Sequence, residues 1–183
     1  MDGLRAERFD AVIVAAFGDP GLAGLREALP CPVTGLTEAA LASASLLGQR
    51  FSIVAISQRI RAWYRETVQH IGLEGRLASI RGLDEPLADI GNVQGNQGER
   101  LVALAERCVD EDGADVIVLA GAPLAGLARS CHGDARPDCP ILKELEMADA
   151  EIFPTTSRQK PGAVPVGRLA HLSGTLKQGQ STA

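Results

Sequence analysis

The chain has 183 residues, 45% of them apolar and 22% charged, which is enough to bury one large core or two small lobes. Aromatic residues make up only 3%, too few for a stacking platform that holds single-stranded nucleic acid, and a formal charge of −5 offers no general basic surface to a phosphate backbone. No apolar run is long enough for a membrane span, and the charged start MDGLRAERFD has no signal-peptide apolar region, so the expected place is the cytoplasm, with no membrane and no nucleic-acid partner.

Asp10 to Ala16 (DAVIVAA) is a short continuous apolar run, the pattern of a parallel strand buried on both faces. FGDPG follows as a turn, and Leu22, Leu25 and Leu29 then recur at helical spacing until Pro30. Pro32 to Gly35 predicts a second strand. Thr37 is expected to cap the next helix, whose stripe is Ala40, Leu41, Ala44 and Leu47. Phe51 to Ile56 predicts another buried strand. Ser57 then opens a helix through about His70, with Ile60, Trp63, Tyr64 and Val68 on one side. Leu77 to Ile80 reads as a weaker strand and Leu83 to Asn96 as a polar loop. A helix to about Glu111 carries Leu101, Leu104, Ala105 and Cys108 inward. Asp115 to Ala120 (DVIVLA) is a clear strand, followed by GAPLAG and a short helix to about Ser130.

Alternating strands and helices imply an α/β fold with parallel sheets and flanking helices. Residues 1–153 form the expected domain, at −9. Residues 154–183 carry Arg158, Lys160, Arg168 and Lys177 with no acid, and read as a basic, mobile tail. The four cysteines form no CxxC motif, and Cys131, His132 and Cys139 match no common zinc spacing, so no metal is expected.

In open parallel sheets, ligands bind at the carboxyl ends of strands. Two glycine loops lie there, Phe17–Gly21 and Gly121–Gly126, and their backbone N–H groups suit a small carboxylate. Neither GxGxxG nor a Walker A motif is present, so nucleotide binding is not supported.

VIVAAFGDPGLAGLREAL, VTGLTEAALASASLLGQRFSIVA, GLEGRLASIR and the stretch from Asp110 through ADVIVLAGAPLAGLA occur in this order. From Phe9 to Ala128 the chain resembles the aspartate/glutamate/hydantoin racemase family. The resemblance implies two pseudo-symmetric α/β lobes, here with an incomplete first lobe, and no cofactor. It also implies a small-molecule carboxylate or cyclic amide as partner, and a homo-oligomer is compatible with it. Members exchange a proton at a carbon beside a carbonyl or carboxylate, using one cysteine from each lobe. Two thiols suit this chemistry because one face of the carbon needs a base and the other an acid.

This sequence departs from the pattern at both thiols. The expected cysteine positions hold Ala16 and Gly121. Cys31, Cys108, Cys131 and Cys139 all read as structural. Asp19 is the one ionisable group in the first loop, a candidate base whose simpler role is to cap the helix that begins at Pro20. Ser57 either binds a substrate carboxylate or caps its helix. The expected substrate-binding set is Phe17, Gly18, Asp19, Ser57, Gly121, Ala122 and Pro123. Two functions remain open: a racemase-like protein for amino acids or hydantoins, and a catalytically inactive small-carboxylate-binding pseudoenzyme or fragment.

Overall fold

The computed structural model describes residues 9–84, 92–124, 127, 141–143 and 169–172. All the strand pairs described are parallel. Strand β1 (Ala11–Val14) lies between β2 (Val33–Gly35) and β7 (Leu169–Leu172). A second sheet has the order β4 (Leu77–Gly82), β3 (Phe51–Ala55), β5 (Val116–Ala120), β6 (Ile141–Lys143). Every residue of β1, β3 and β5 is buried, as continuous Val/Ile/Ala runs covered on both faces require.

Helix α1 (Leu22–Ala28) follows β1, and α2 (Leu36–Leu47) follows β2 directly. Ser57 opens a one-turn 3₁₀ segment, Gln58–Ile60, which leads into α3 (Arg61–His70). Its hydroxyl accepts the Arg59 N–H at 3.2 Å, so the expected capping role is present. Helix α4 (Val93–Asp110) precedes β5. Fully buried Val93 anchors its first turn, so the loop read from Leu83 to Asn96 ends earlier than the polar composition implied. Among the described residues no helix is long and apolar enough to cross a membrane.

Three local readings need correction. Leu47 is exposed, because the last turn of α2 runs beyond the core that Ala40, Leu41 and Ala44 enter. Trp63 lies off the packed stripe of α3 and is 43% exposed, whereas Tyr64 and Val68 are buried. Leu169–Leu172, inside the stretch read as a tail, is a strand registered along β1 from Ala11 to Val14. The rest of 154–183, the helix read to Ser130, and Cys131, His132 and Cys139 lie outside the described residues.

Cys108 is structural, as expected. It is fully buried, and desolvation raises its thiol pKa above the ordinary value. Ser79 lies 3.7 Å from its sulfur and also donates to Asp112 at 2.6 Å. Asp112 in turn takes two hydrogen bonds from Arg81, at 2.6 and 2.8 Å.

Candidate ligand site at the strand ends

Phe17 positions the site. It leaves the end of β1 and enters the apolar cluster that contains Ala55 and Ala120, the last residues of β3 and β5. Its ring packs on Tyr64 of α3, with centroids 4.5 Å apart. The FGDPG loop after β1 is thereby tied to the apolar cluster that the second sheet and α3 share. Ala16 and Gly121 are the chain neighbours of Phe17 and Ala120, so the two expected cysteine positions flank one shared cluster. Neither side chain carries an acid or a base.

The backbone at the two positions differs. Gly121 has φ +110°, a conformation that costs an L side chain strain, whereas Ala16 is not among the positive-φ residues. The turn beyond Gly121 is a single 3₁₀ segment, Ala122–Leu124, closed by the Leu124 N–H on the Gly121 carbonyl at 2.9 Å. Gln94 of α4 steadies it by donating to the Pro123 carbonyl at 2.7 Å.

The FGDPG loop is fastened to α2. Asp19 adopts φ +48°, and its two carboxylate oxygens accept the backbone N–H groups of Thr37 and Glu38, each at 2.9 Å. Gly18 N–H donates back to Thr37 Oγ1 at 2.6 Å. Asp19 therefore caps α2 from another segment of the chain. It does not cap α1, whose N-cap is Gly21 with no side-chain hydrogen bond. Thr37, expected to cap α2 itself, lies inside the helix as a buried partner of the loop. The helix starts two residues earlier than the capping pattern implied, directly after β2.

Burial raises the Asp19 pKa above the ordinary carboxylate value, and the two backbone hydrogen bonds oppose that rise. The clasp also uses up amides expected to face a ligand: Gly18 N–H goes to Thr37, and Asp19 N–H to the Ala16 carbonyl at 3.0 Å.

A cleft of about 610 Å³ adjoins the loop, bounded by Gly18, Asp19, Leu22, Arg26, Glu38 and His70. Arg26 and Glu38 form an ion pair across it. Arg26, His70 and Trp63 were not assigned to the site from sequence. The adjacency of Trp63 and Tyr64 held the one usable signal. A helical stripe through Ile60, Tyr64 and Val68 leaves Trp63 facing elsewhere, and its indole occupies the space where a Gly18 side chain would lie. Among the described residues no group of three or more His, Cys, Asp or Glu is placed to hold a metal ion.

Buried parallel strands, glycine turns at their carboxyl ends and two sheets meeting at Phe17 define a racemase-type α/β fold. The family model for Asp/Glu/Hydantoin racemase matches residues 1–148, and the chain belongs to that family. It is 37% identical over 152 residues to a hydantoin racemase of Paenarthrobacter aurescens, covering 79% of this chain and 61% of the relative. A hydantoin racemase of Pseudomonas sp. (strain NS671) is 35% identical over 124 residues, covering 68% and 50%. The allantoin racemase structure from Pseudomonas fluorescens superposes with a TM-score of 0.74 at 30% identity, covering 82% of this chain and 63% of that one. The chain thus spans half to three-fifths of the length of these hydantoin racemases.

Proposed function

We propose that this chain is an amino-acid- or hydantoin-racemase-like protein. Its ligand is a small carboxylate or cyclic amide whose reacting carbon bears a proton next to a carbonyl. The observation that carries the reading is that Phe17 shares one apolar cluster with Ala55 and Ala120, which supports placing Ala16 and Gly121 at one shared cleft. Relatives that include hydantoin and allantoin racemases support the ligand class. Ser57, at the end of β3, adds a hydroxyl at the same end of the sheet. We place the protein in the cytoplasm, where thiols such as Cys31 and Cys108 stay reduced.

In this chain proton exchange is slow, because positions 16 and 121 supply neither acid nor base. Loss of one positioned proton-transfer group costs on the order of 10²–10⁴-fold in rate. Asp19 is a poor replacement base, since both of its oxygens already hold the end of α2. A second reading, a catalytically inactive binding protein, is favoured by the φ of Gly121, which leaves no easy place for a thiol there. Polarimetry of an optically pure 5-substituted hydantoin separates the two. Slow loss of rotation that depends on protein concentration supports the first reading, and no loss above the buffer rate supports the second.

A further inference from the structure

Asp112–Gly113, just beyond the end of α4, carries a chemistry that the ligand site does not use. In an Asp–Gly pair the glycine nitrogen can close on the aspartate Cγ. The new N–Cγ bond completes a five-membered succinimide. One carboxyl oxygen leaves as water, with the amide proton and a proton taken from solvent. Water then adds to either imide carbonyl. One opening restores aspartate, and the other gives isoaspartate, whose main chain runs through Cβ.

The local backbone leaves the nitrogen open to this reaction. Gly113 has φ +68°, which favours glycine, and a side chain there would meet nothing nearer than Arg50 Nη1 at 3.6 Å. The Asp112 side chain is 18% exposed, so water reaches it.

The fold, however, occupies both reacting groups. Asp112 Oδ2 accepts the Ser79 hydroxyl and Arg81 Nε, each at 2.6 Å, and Oδ1 accepts Arg81 Nη2 at 2.8 Å. Arg81 is braced in turn by Glu111 at 2.7 Å, and Glu111 by Arg107 at 2.9 and 3.1 Å. These charge-assisted bonds run from the end of α4 to β4 and hold the carboxyl group as an ion, which is a poor electrophile. The Gly113 N–H donates to the Val109 carbonyl at 3.2 Å, an acceptor too weakly basic to take its proton. Ring closure therefore needs the carboxylate to leave Arg81 and Ser79, and the amide to leave the helix end.

We propose that Asp112–Gly113 is a latent isomerisation site, kept unreactive in the folded chain by Arg81 and Ser79. Isoaspartate there lengthens the main chain by one methylene and withdraws the carboxylate from both partners. It thereby unties the end of α4 from β4, beside fully buried Cys108. No ligand takes part, so the proposal stands apart from the functional reading.

The test is prolonged incubation of the full chain at neutral pH, folded and in urea. Peptide mapping with electron-transfer fragmentation measures isoaspartate at position 112. The folded chain should isomerise about tenfold more slowly than the chain in urea, or slower still. Arg81→Gln, checked for folding by circular dichroism, should raise the folded-state rate about tenfold, the scale of losing charge-assisted hydrogen bonds. Arg81→Lys keeps the charge and should restore part of the protection. Ser79→Ala removes one bond and leaves the Arg81 pair, so it decides the matter if Arg81→Gln folds poorly. Its expected rise is about threefold. Asp19→Ala weakens the fold at the distant clasp on α2 and should leave the rate at 112 unchanged, which separates local protection from global stability. Equal rates in the folded chain and in urea overturn the proposal. So do unchanged rates in every Arg81 and Ser79 variant that folds, or a rise in Asp19→Ala as large as theirs.

Discussion

Asp19 Oδ1 accepts the backbone N–H of Thr37 at 2.9 Å, across eighteen positions of sequence. The returning bond from Gly18 N–H to Thr37 Oγ1 makes a closed clasp between the loop after β1 and the first turn of α2. A carboxylate at a helix N-terminus satisfies donors that the helix cannot pair internally, and it meets the positive end of the helix dipole. The same carboxylate was the one side chain in the loop that resembled a base, and its geometry gives it to the helix.

Asp19→Ala should therefore lower stability by about 1–2 kcal/mol, the usual worth of an N-cap side chain. Asp19→Asn should lose less, since its amide oxygen still accepts one of the two N–H groups. Chemical denaturation measures both. An unchanged midpoint in Asp19→Ala would show that the clasp contributes nothing.

Gly18 combines φ +96° with a side-chain position already filled by the Trp63 indole. Gly18→Ala should cost about 1–3 kcal/mol through strain and overpacking. Adding Trp63→Ala removes the clash and leaves the backbone strain. The double variant should thus be less destabilised than the two single costs added together. Strict additivity in a thermal-unfolding cycle would argue that the two residues do not touch.

Acid sensitivity should arise at the Arg81–Asp112 pair. Hydrogen bonding from Arg81 holds the Asp112 pKa below its ordinary value, and burial opposes this more weakly. A depressed folded pKa gives stability that is fully present above the unfolded value, near 4, and lost as pH falls through the folded value. Asp19 has the opposite sign: its raised pKa gives a contribution that is present at low pH and fades as pH rises through its folded value. Denaturation midpoints between about pH 2 and 5 should fall less steeply in Asp112→Asn than in the unmodified chain. Parallel curves would place the acid transition elsewhere.

Thiols can be returned to one of the two expected positions at little cost. Ala16→Cys should fold with near-native stability. Gly121→Cys should lose about 1–2 kcal/mol, because φ +110° is strained for any L side chain. Equal melting temperatures for the two variants would show that the turn at Gly121 relaxes freely.

The strands were legible in the sequence because DAVIVAA, FSIVAI and DVIVLA are continuous apolar runs of strand length, bounded by turn residues. The glycine turns after two of them are what point to a site at the strand ends. What escaped was pairing between distant segments. The sequence around Asp19 contains a good local cap for α1, and nothing in it specifies a helix end eighteen residues away. The outward turn of Trp63 was recoverable from the period of α3, but its seat against Gly18 depends on two elements meeting through Phe17. The cleft around Arg26, Glu38 and His70 draws on three helices, so no local pattern announces it.

We propose that the racemase-type site keeps its position and lacks its two proton-transfer groups. Solvent deuterium incorporation at the α-carbon of a 5-substituted hydantoin, aspartate or glutamate tests it most directly, comparing the unmodified chain with Ala16→Cys and Asp19→Asn. The expected result is slow incorporation by the unmodified chain, an increase in Ala16→Cys, and little change in the exchange rate of folded Asp19→Asn. Rapid incorporation by the unmodified chain that Asp19→Asn abolishes would contradict the claim and make Asp19 the base.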